Sequence, residues 1–153
     1  MKKTKLAASK NKLNKYLVHF QKPELLPNGF EFIEFANFLK KVKKNSCEDI
    51  LISDLLEYFD YAECSEVLTD IISKLDSKKR LHIQGIDAKF IAHHFATDQM
   101  TLEVFNLFTF SFGKKQLLTV SKIKSLLSDN NDIKISSIKF LNSFNYYIEC
   151  EKQ

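Results

Sequence analysis

A chain of 153 residues with 44% hydrophobic content can bury one core without disulfide or metal staples, and fourteen Phe against three Gly and two Pro exclude a disordered chain. Cys47, Cys64 and Cys150 are odd in number and have no C-x-x-C spacing, which excludes a disulfide framework and predicts buried, reduced thiols. Net charge is +4, yet residues 1 to 22 hold seven Lys and no acid, so the remainder carries 16 cations against 19 acids; this basic arm lacks the interleaved Arg and aromatic residues of a nucleic-acid binder, which makes nucleic acid the weaker partner expectation.

Thr4 to Ala8 reads as a marginal strand and Tyr16 to Phe20 as a clearer one. Residues 21 to 30 contain both prolines and Gly29 and read as a loop. Glu31 to Phe35 alternates and predicts a strand. Phe35, Phe38, Leu39 and Val42 then recur at i, i+3, i+4 and i+7, a helix whose outer face carries Lys40, Lys41, Lys43 and Lys44 as solvated cations. Ile50, Leu51 and Ile52, ending at Ser53 and Asp54, suit a buried parallel strand. Val67, Leu68, Ile71, Ile72 and Leu75 form one helical stripe, Asp76 to Lys79 a turn, and Arg80 to Gln84 a strand closed by Gly85. Strand, helix and strand within about forty residues make a right-handed βαβ unit.

Asp87 caps a helix containing Phe90, Ile91, His94 and Phe95. His93 and His94 point about 100° apart on it, and with no H-x-x-x-H spacing a metal is not expected. Asp98 or Thr101 opens a segment crowded with Phe105, Phe108, Phe110 and Phe112. Thr119 or Ser121 caps a last helix with Val120, Ile123, Leu126 and Leu127. Ile133 to Phe140 alternates, and Tyr146 to Cys150 completes a terminal hairpin. No run approaches membrane-spanning length.

From Asp49 to Asp87 the text resembles the middle of class I S-adenosylmethionine (SAM) dependent methyltransferases. An apolar strand, Leu56-Glu57-Tyr58-Phe59, an amphipathic helix, a Lys-rich turn and Leu81-His82-Ile83-Gln84-Gly85 follow that family's order. Tyr58 stands where His is common, and Ser77-Lys78-Lys79 replaces Pro-Gly-Gly. The ending, Asn145 to Lys152, is similar to the family's last strand. The resemblance implies an α/β, Rossmann-like three-layer sandwich: a mostly parallel seven-strand sheet, helices on both faces, an antiparallel last strand, and residues 1–153 as a single domain.

The same resemblance implies a Gly-rich turn after the first strand and a ribose-binding acid at the end of the second. Here Ala7, Ala8 and Ser9 fall in the loop and His19 at the acid, with Ser53 and Asp54 at the end of the fourth strand, a vestigial cofactor position. The reading that follows is a degenerate methyltransferase-like domain, leaning away from an enzyme, with no cofactor, no catalytic residues and no metal. It would serve as a structural or interaction module, cytoplasmic or virion-associated in a bacteriophage. Its protein partner, or a second copy of the chain, would meet Phe105, Phe108, Phe110 and Phe112. Two alternatives stand beside it: an active SAM-dependent methyltransferase with an atypical cofactor loop, where Asp54, Glu57 or Tyr58 borders substrate, and a basic nucleic-acid accessory protein.

Overall fold

The computed structural model describes residues 14–153, with the side chain of Phe112 outside that description. The expected strand Thr4–Ala8, and with it Ala7, Ala8 and Ser9, lies outside the described residues. In chain order the elements are β1 (Asn14–His19), β2 (Glu31–Glu34), α1 (Phe35–Lys41), β3 (Cys47–Ser53), a 3-10 turn (Leu55–Tyr58), α2 (Tyr61–Lys74), β4 (Leu75–Ile86), α3 (Ala88–Ala96), α4 (Leu102–Phe110), α5 (Val120–Ser128), β5 (Ile133–Phe140) and β6 (Asn145–Lys152). They form an α/β fold around one mixed sheet of order β2-β1-β3-β4-β6-β5. β2, β1, β3 and β4 run parallel, and β6 is antiparallel to both of its neighbours.

Two features differ from expectation. The sheet has six strands among the described residues, not seven. The strand expected second is also the first of the pattern, because β1 is hydrogen-bonded to β3 on one side and β2 on the other, which leaves no room for another strand between β1 and β3.

Crossover handedness then decides the layers. Going from β1 to β2 the chain steps one way along the sheet, and from β2 to β3 and β3 to β4 it steps the other way. Right-handed connections therefore place α1 and α2 on one face and residues 20–30 on the other. The core agrees: Val18, Ile50, Ile52, Leu81, Ile83 and Ile148 pack beneath Phe38 of α1, Leu68 and Ile71 of α2, and Ile123 of α5. Residues 20–30 contain Pro23, Pro27 and a positive-φ Gly29, so they cannot propagate a helix, and among the described residues a loop takes the place of a second helical layer.

Local signals are met where the sequence placed them. Asp60 and Glu63 close a capping box on α2, and Asp87, Thr101 and Thr119 accept backbone N–H bonds at the starts of α3, α4 and α5. The expected turn at Asp76–Lys79 is a bulge inside β4. Leu75 pairs with Cys47 and Arg80 with Asp49, while Lys78 takes φ 60° between them. No helix among the described residues is long and apolar enough to cross a membrane.

Phe38, fully buried and edge-on to Tyr16 at 6.2 Å, carries the α1 layer. Phe38→Ala is expected to lower the unfolding free energy by about 3–5 kcal/mol, whereas Phe110→Ala, at a side chain 69% exposed, should change it by less than about 0.5 kcal/mol. Urea midpoints of the two variants check the assignment.

Candidate functional site

β3 ends at Ser53, and the chain turns at once through Asp54, whose φ of 51° is left-handed, a conformation that Asp tolerates better than most residues. The Asp54 N–H donates to the Gln84 carbonyl at 2.9 Å, tying the turn to β4. On β4 the next residue is Gly85. A Cβ there would stand 2.6 Å from the Tyr146 hydroxyl and 3.1 Å from Asp54 Oδ1. Only glycine admits that approach, and it brings Asp54, Gly85 and Tyr146 from three elements to one point. Asp54 Oδ1 is buried there without a hydrogen-bond partner.

Three cavities meet at Asp54. One of 280 Å³ is lined by His19, Gln21, Leu25, Ser53 and Gln84. A second, of 430 Å³, is lined by His19, Tyr58, Ile86, Leu107, Phe108 and Lys114. The third, of 170 Å³, lies against Ser53, Gly85, Leu141 and Tyr146. All three open at the carboxyl ends of the parallel strands, beside the point where the crossovers change direction, the usual ligand position of an open α/β sheet.

Behind this surface sits Glu57, 1% exposed, with the Lys114 ammonium 2.5 Å from its Oε2. Burial, reinforced by the charge of Asp54, pushes the Glu57 carboxyl up to about 7 against the pull of Lys114. For Lys114 burial acts downward, but the Glu57 carboxylate outweighs it and the ammonium is held above its ordinary value. The pair is strapped in place by the backbone, since the Lys115 and Gln116 N–H groups both donate to the Glu57 carbonyl and Gln116 Nε2 donates to the Phe59 carbonyl. Burial likewise raises Tyr146 well above a free phenol.

Of the residues singled out from sequence, His19, Ser53 and Asp54 are brought together. His19 ends β1, so the position at the end of the second strand belongs to Glu34, an exposed acid whose Oε2 accepts from Asn37 Nδ2 at 3.0 Å. Of the four phenylalanines, the three whose side chains are described separate. Phe105 stacks on Phe95 at 4.5 Å, Phe108 lines the 430 Å³ cavity, and Phe110 is exposed. Gln84, Gly85, Lys114 and Tyr146 were missed. Gly85, alone among apolar strand residues, was the one legible sign of a close approach. Also missed was a polar ladder on the opposite sheet face, where Lys15 Nζ lies 2.7 Å from Asp49 Oδ2, His82 Nε2 is 3.3 Å from Asp49 Oδ1, and Tyr147 Oη is 2.6 Å from His82 Nδ1. Among the described residues no group of three His, Cys, Asp or Glu side chains could hold a metal.

No family model and no curated protein matches the chain. Solved structures do. An O-methyltransferase family 2 protein from Planctomyces limnophilus DSM 3776, in complex with apigenin, aligns with TM-score 0.56 and 17% identity over 82% of this chain and 36% of its own. Magnesium protoporphyrin IX methyltransferase from Synechocystis PCC 6803, with bound SAH, aligns with TM-score 0.54 and 16% identity over 82% and 52%. LepI in complex with SAM aligns with TM-score 0.55 and 15% identity over 92% and 36%. The fold is thus that of class I SAM-dependent methyltransferases, and the chain spans between about a third and a half of these proteins' lengths. The expectation of no cofactor is corrected by them: proteins of this fold hold SAM or SAH, and the strand order removes the argument that rested on His19 as a failed second-strand acid.

Two measurements probe this geometry. Glu57 has a folded value raised above its ordinary 4.5, so its contribution to stability is full below pH 4.5 and is lost as pH rises through about 7; the loss is on the order of 3 kcal/mol. Urea unfolding from pH 4.5 to 8 should therefore show a decline that Glu57→Gln flattens, and parallel curves would refute the assignment. Gly85→Ala should destabilise the chain by several times the roughly 0.5–1 kcal/mol that Gly-to-Ala normally adds or removes, and Tyr146→Phe in the same chain should restore part of the loss by deleting the colliding hydroxyl.

Proposed function

We propose that the chain is a SAM-dependent methyltransferase domain whose cofactor loop, residues 20–23 after β1, works without glycine. The observation that carries this reading is Asp54 Oδ1, a buried carboxylate oxygen with no partner where three cavities meet. Leaving such an acceptor unpaired costs about 1–3 kcal/mol or more, and a ligand donor removes that cost. SAM offers donors of the required kind in its ammonium and ribose hydroxyls.

The residues present fit the cofactor. Glu34 supplies an acid at the end of β2, where the resemblance puts the ribose-binding carboxylate. Phe20, the bulky residue that follows β1, turns its ring onto Tyr58, Phe35 and Phe59 at centroid distances of 5.0, 5.7 and 5.8 Å. That packing leaves His19 and Gln21 to line the cavities and accounts for a loop with no glycine. LepI and the Synechocystis enzyme, which share the fold, bind SAM and SAH.

When bound, SAM supplies a methyl group on a positively charged sulfur. The chain's own part is to hold and orient. Asp54 and Glu34 would hold the cofactor's donors, and His19 with Gln21 would wall its site. Tyr58 and Lys114 border the 430 Å³ cavity on the acceptor side. Glu57 keeps a proton on its carboxyl close to neutrality, and through Lys114 it sets the charge that the acceptor meets.

Calorimetric titration of the chain with SAH should show one site. Asp54→Asn, which keeps the left-handed backbone but removes the charge, should weaken it ten- to a hundredfold, as expected from about 1.5–3 kcal/mol for a hydrogen bond to a charged group. Absence of heat at millimolar SAH, with no rise in Tm, would overturn the proposal.

A further inference from the structure

Among the described residues, the large hydrophobic residues left exposed gather at one end of the molecule. Leu102, Leu107 and Phe110 belong to α4, Phe95 to the end of α3, Leu25 to the loop after β1, and Leu141 to the turn between β5 and β6. Each segment follows or borders the carboxyl ends of the parallel strands, whereas the outer faces of α1 and α5 expose none. α4 is the extreme case, nine residues with an apolar majority and no buried side chain.

This apolar rim is continuous with the cavities. Leu25, 87% exposed, lines the 280 Å³ cavity; Leu107, 58% exposed, lines the 430 Å³ cavity; Leu141, 60% exposed, lines the 170 Å³ cavity. The largest of them is lined by Ile86, Leu107 and Phe108 together with polar groups that include Asp54, Tyr58 and Lys114. An apolar wall with a few convergent polar groups, at a volume inside the roughly 300–1,000 Å³ range of small-molecule sites, is a ligand cavity rather than a flat protein contact. Rim leucines that also line cavities are hard to cover with another protein's surface alone, but a ring-bearing molecule seated inside and protruding would cover both positions at once.

Resting on the methyltransferase reading above, the geometry points to an apolar, aromatic acceptor with a single hydroxyl or amine, its rings held between Phe108, Leu107 and Ile86 and its polar atom turned to Tyr58 and Lys114. Phe110 and Leu102 extend the same apolar surface beyond the mouth and accept the part of the ligand that protrudes.

The test is calorimetric titration of the full chain with phenol, 2-naphthol and 4-phenylphenol, each with and without SAH. Affinity should rise several-fold with each step in ring area, and Leu107→Ser should weaken 4-phenylphenol at least fivefold. Ile86→Ser, on β4 and lining the same cavity, provides a second variant should the first fail to fold, and is expected to weaken it in the same direction. A flat series, or binding that neither variant changes, overturns the inference. So does a ligand-free dimer that Leu107→Ser converts to monomer in sedimentation, since the rim would then be a surface between copies. Ring-dependent binding with no SAH binding would leave the aromatic site standing and sink the methyltransferase reading together with the acceptor role that rests on it; SAH binding without phenol-series binding would sink the aromatic site and spare the methyltransferase reading.

Discussion

The handedness of the crossovers is the constraint from which the rest of this molecule follows. Two parallel connections run one way along the sheet and one runs the other, so right-handedness puts α1 and α2 together and separates them from residues 20–30. The chain direction reverses beside β1 and β3. His19, Ser53, Asp54 and Gln84 are thereby delivered to one crevice although up to 65 positions separate them. None of them needs a motif to reach it. The crevice is a consequence of topology, and its contents are a consequence of which residues happen to end each strand.

Within the crevice two kinds of polar group are handled differently. Glu57 is wholly enclosed and Lys114 pairs with its Oε2, while two backbone bonds on its own carbonyl hold the residue in place; its Oε1 has no hydrogen-bond partner among the described residues. Asp54 Oδ1 is buried to the same degree and is compensated by nothing among the described residues. A left-handed backbone, a glycine neighbour that a methyl group would disrupt, and an orphaned acceptor coincide at one residue. Such coincidence concentrates at one point a cost that the described contacts do not offset.

The opposite face of the sheet shows how the same topology is stabilised without a second helical layer among the described residues. Parallel sheets are ordinarily covered on both faces. Here the β1-to-β2 loop covers only part of one face, with Pro27 and Phe30 over Leu51. Lys15, Asp49, His82 and Tyr147 join across four strands and satisfy one another. Burial pushes Asp49 upward, yet the bond from Lys15, followed by that from His82, holds its carboxyl below the ordinary carboxylate range. Where the described residues give this face no helical cover, it carries a connected polar ladder.

The sequence by itself determined most elements from Glu31 onward, because these are written in local chemistry: the stripe Val67 to Ile72, the caps Asp87, Thr101 and Thr119, and the alternation of Ile133 to Phe140, whereas the turn expected at Asp76–Lys79 is a bulge in β4, which begins at Leu75. It also placed Ser53 and Asp54 at a strand end, since a strand's end is a local event. Strand order was beyond it. Whether Tyr16 to His19 is the first or second strand depends on hydrogen bonds to Ile50–Ile52 and Phe32–Ile33, partners that no spacing along the chain specifies. Assigning that strand second displaced the cofactor loop to Ala7–Ser9, made His19 look like a lost acid and hid Glu34. Lys114 and Tyr146 escaped for the same reason: they enter the site from loop and strand positions 57 and 61 residues away from Glu57 and Gly85, Tyr146 by close packing over a residue without a Cβ and Lys114 by its ion pair with Glu57.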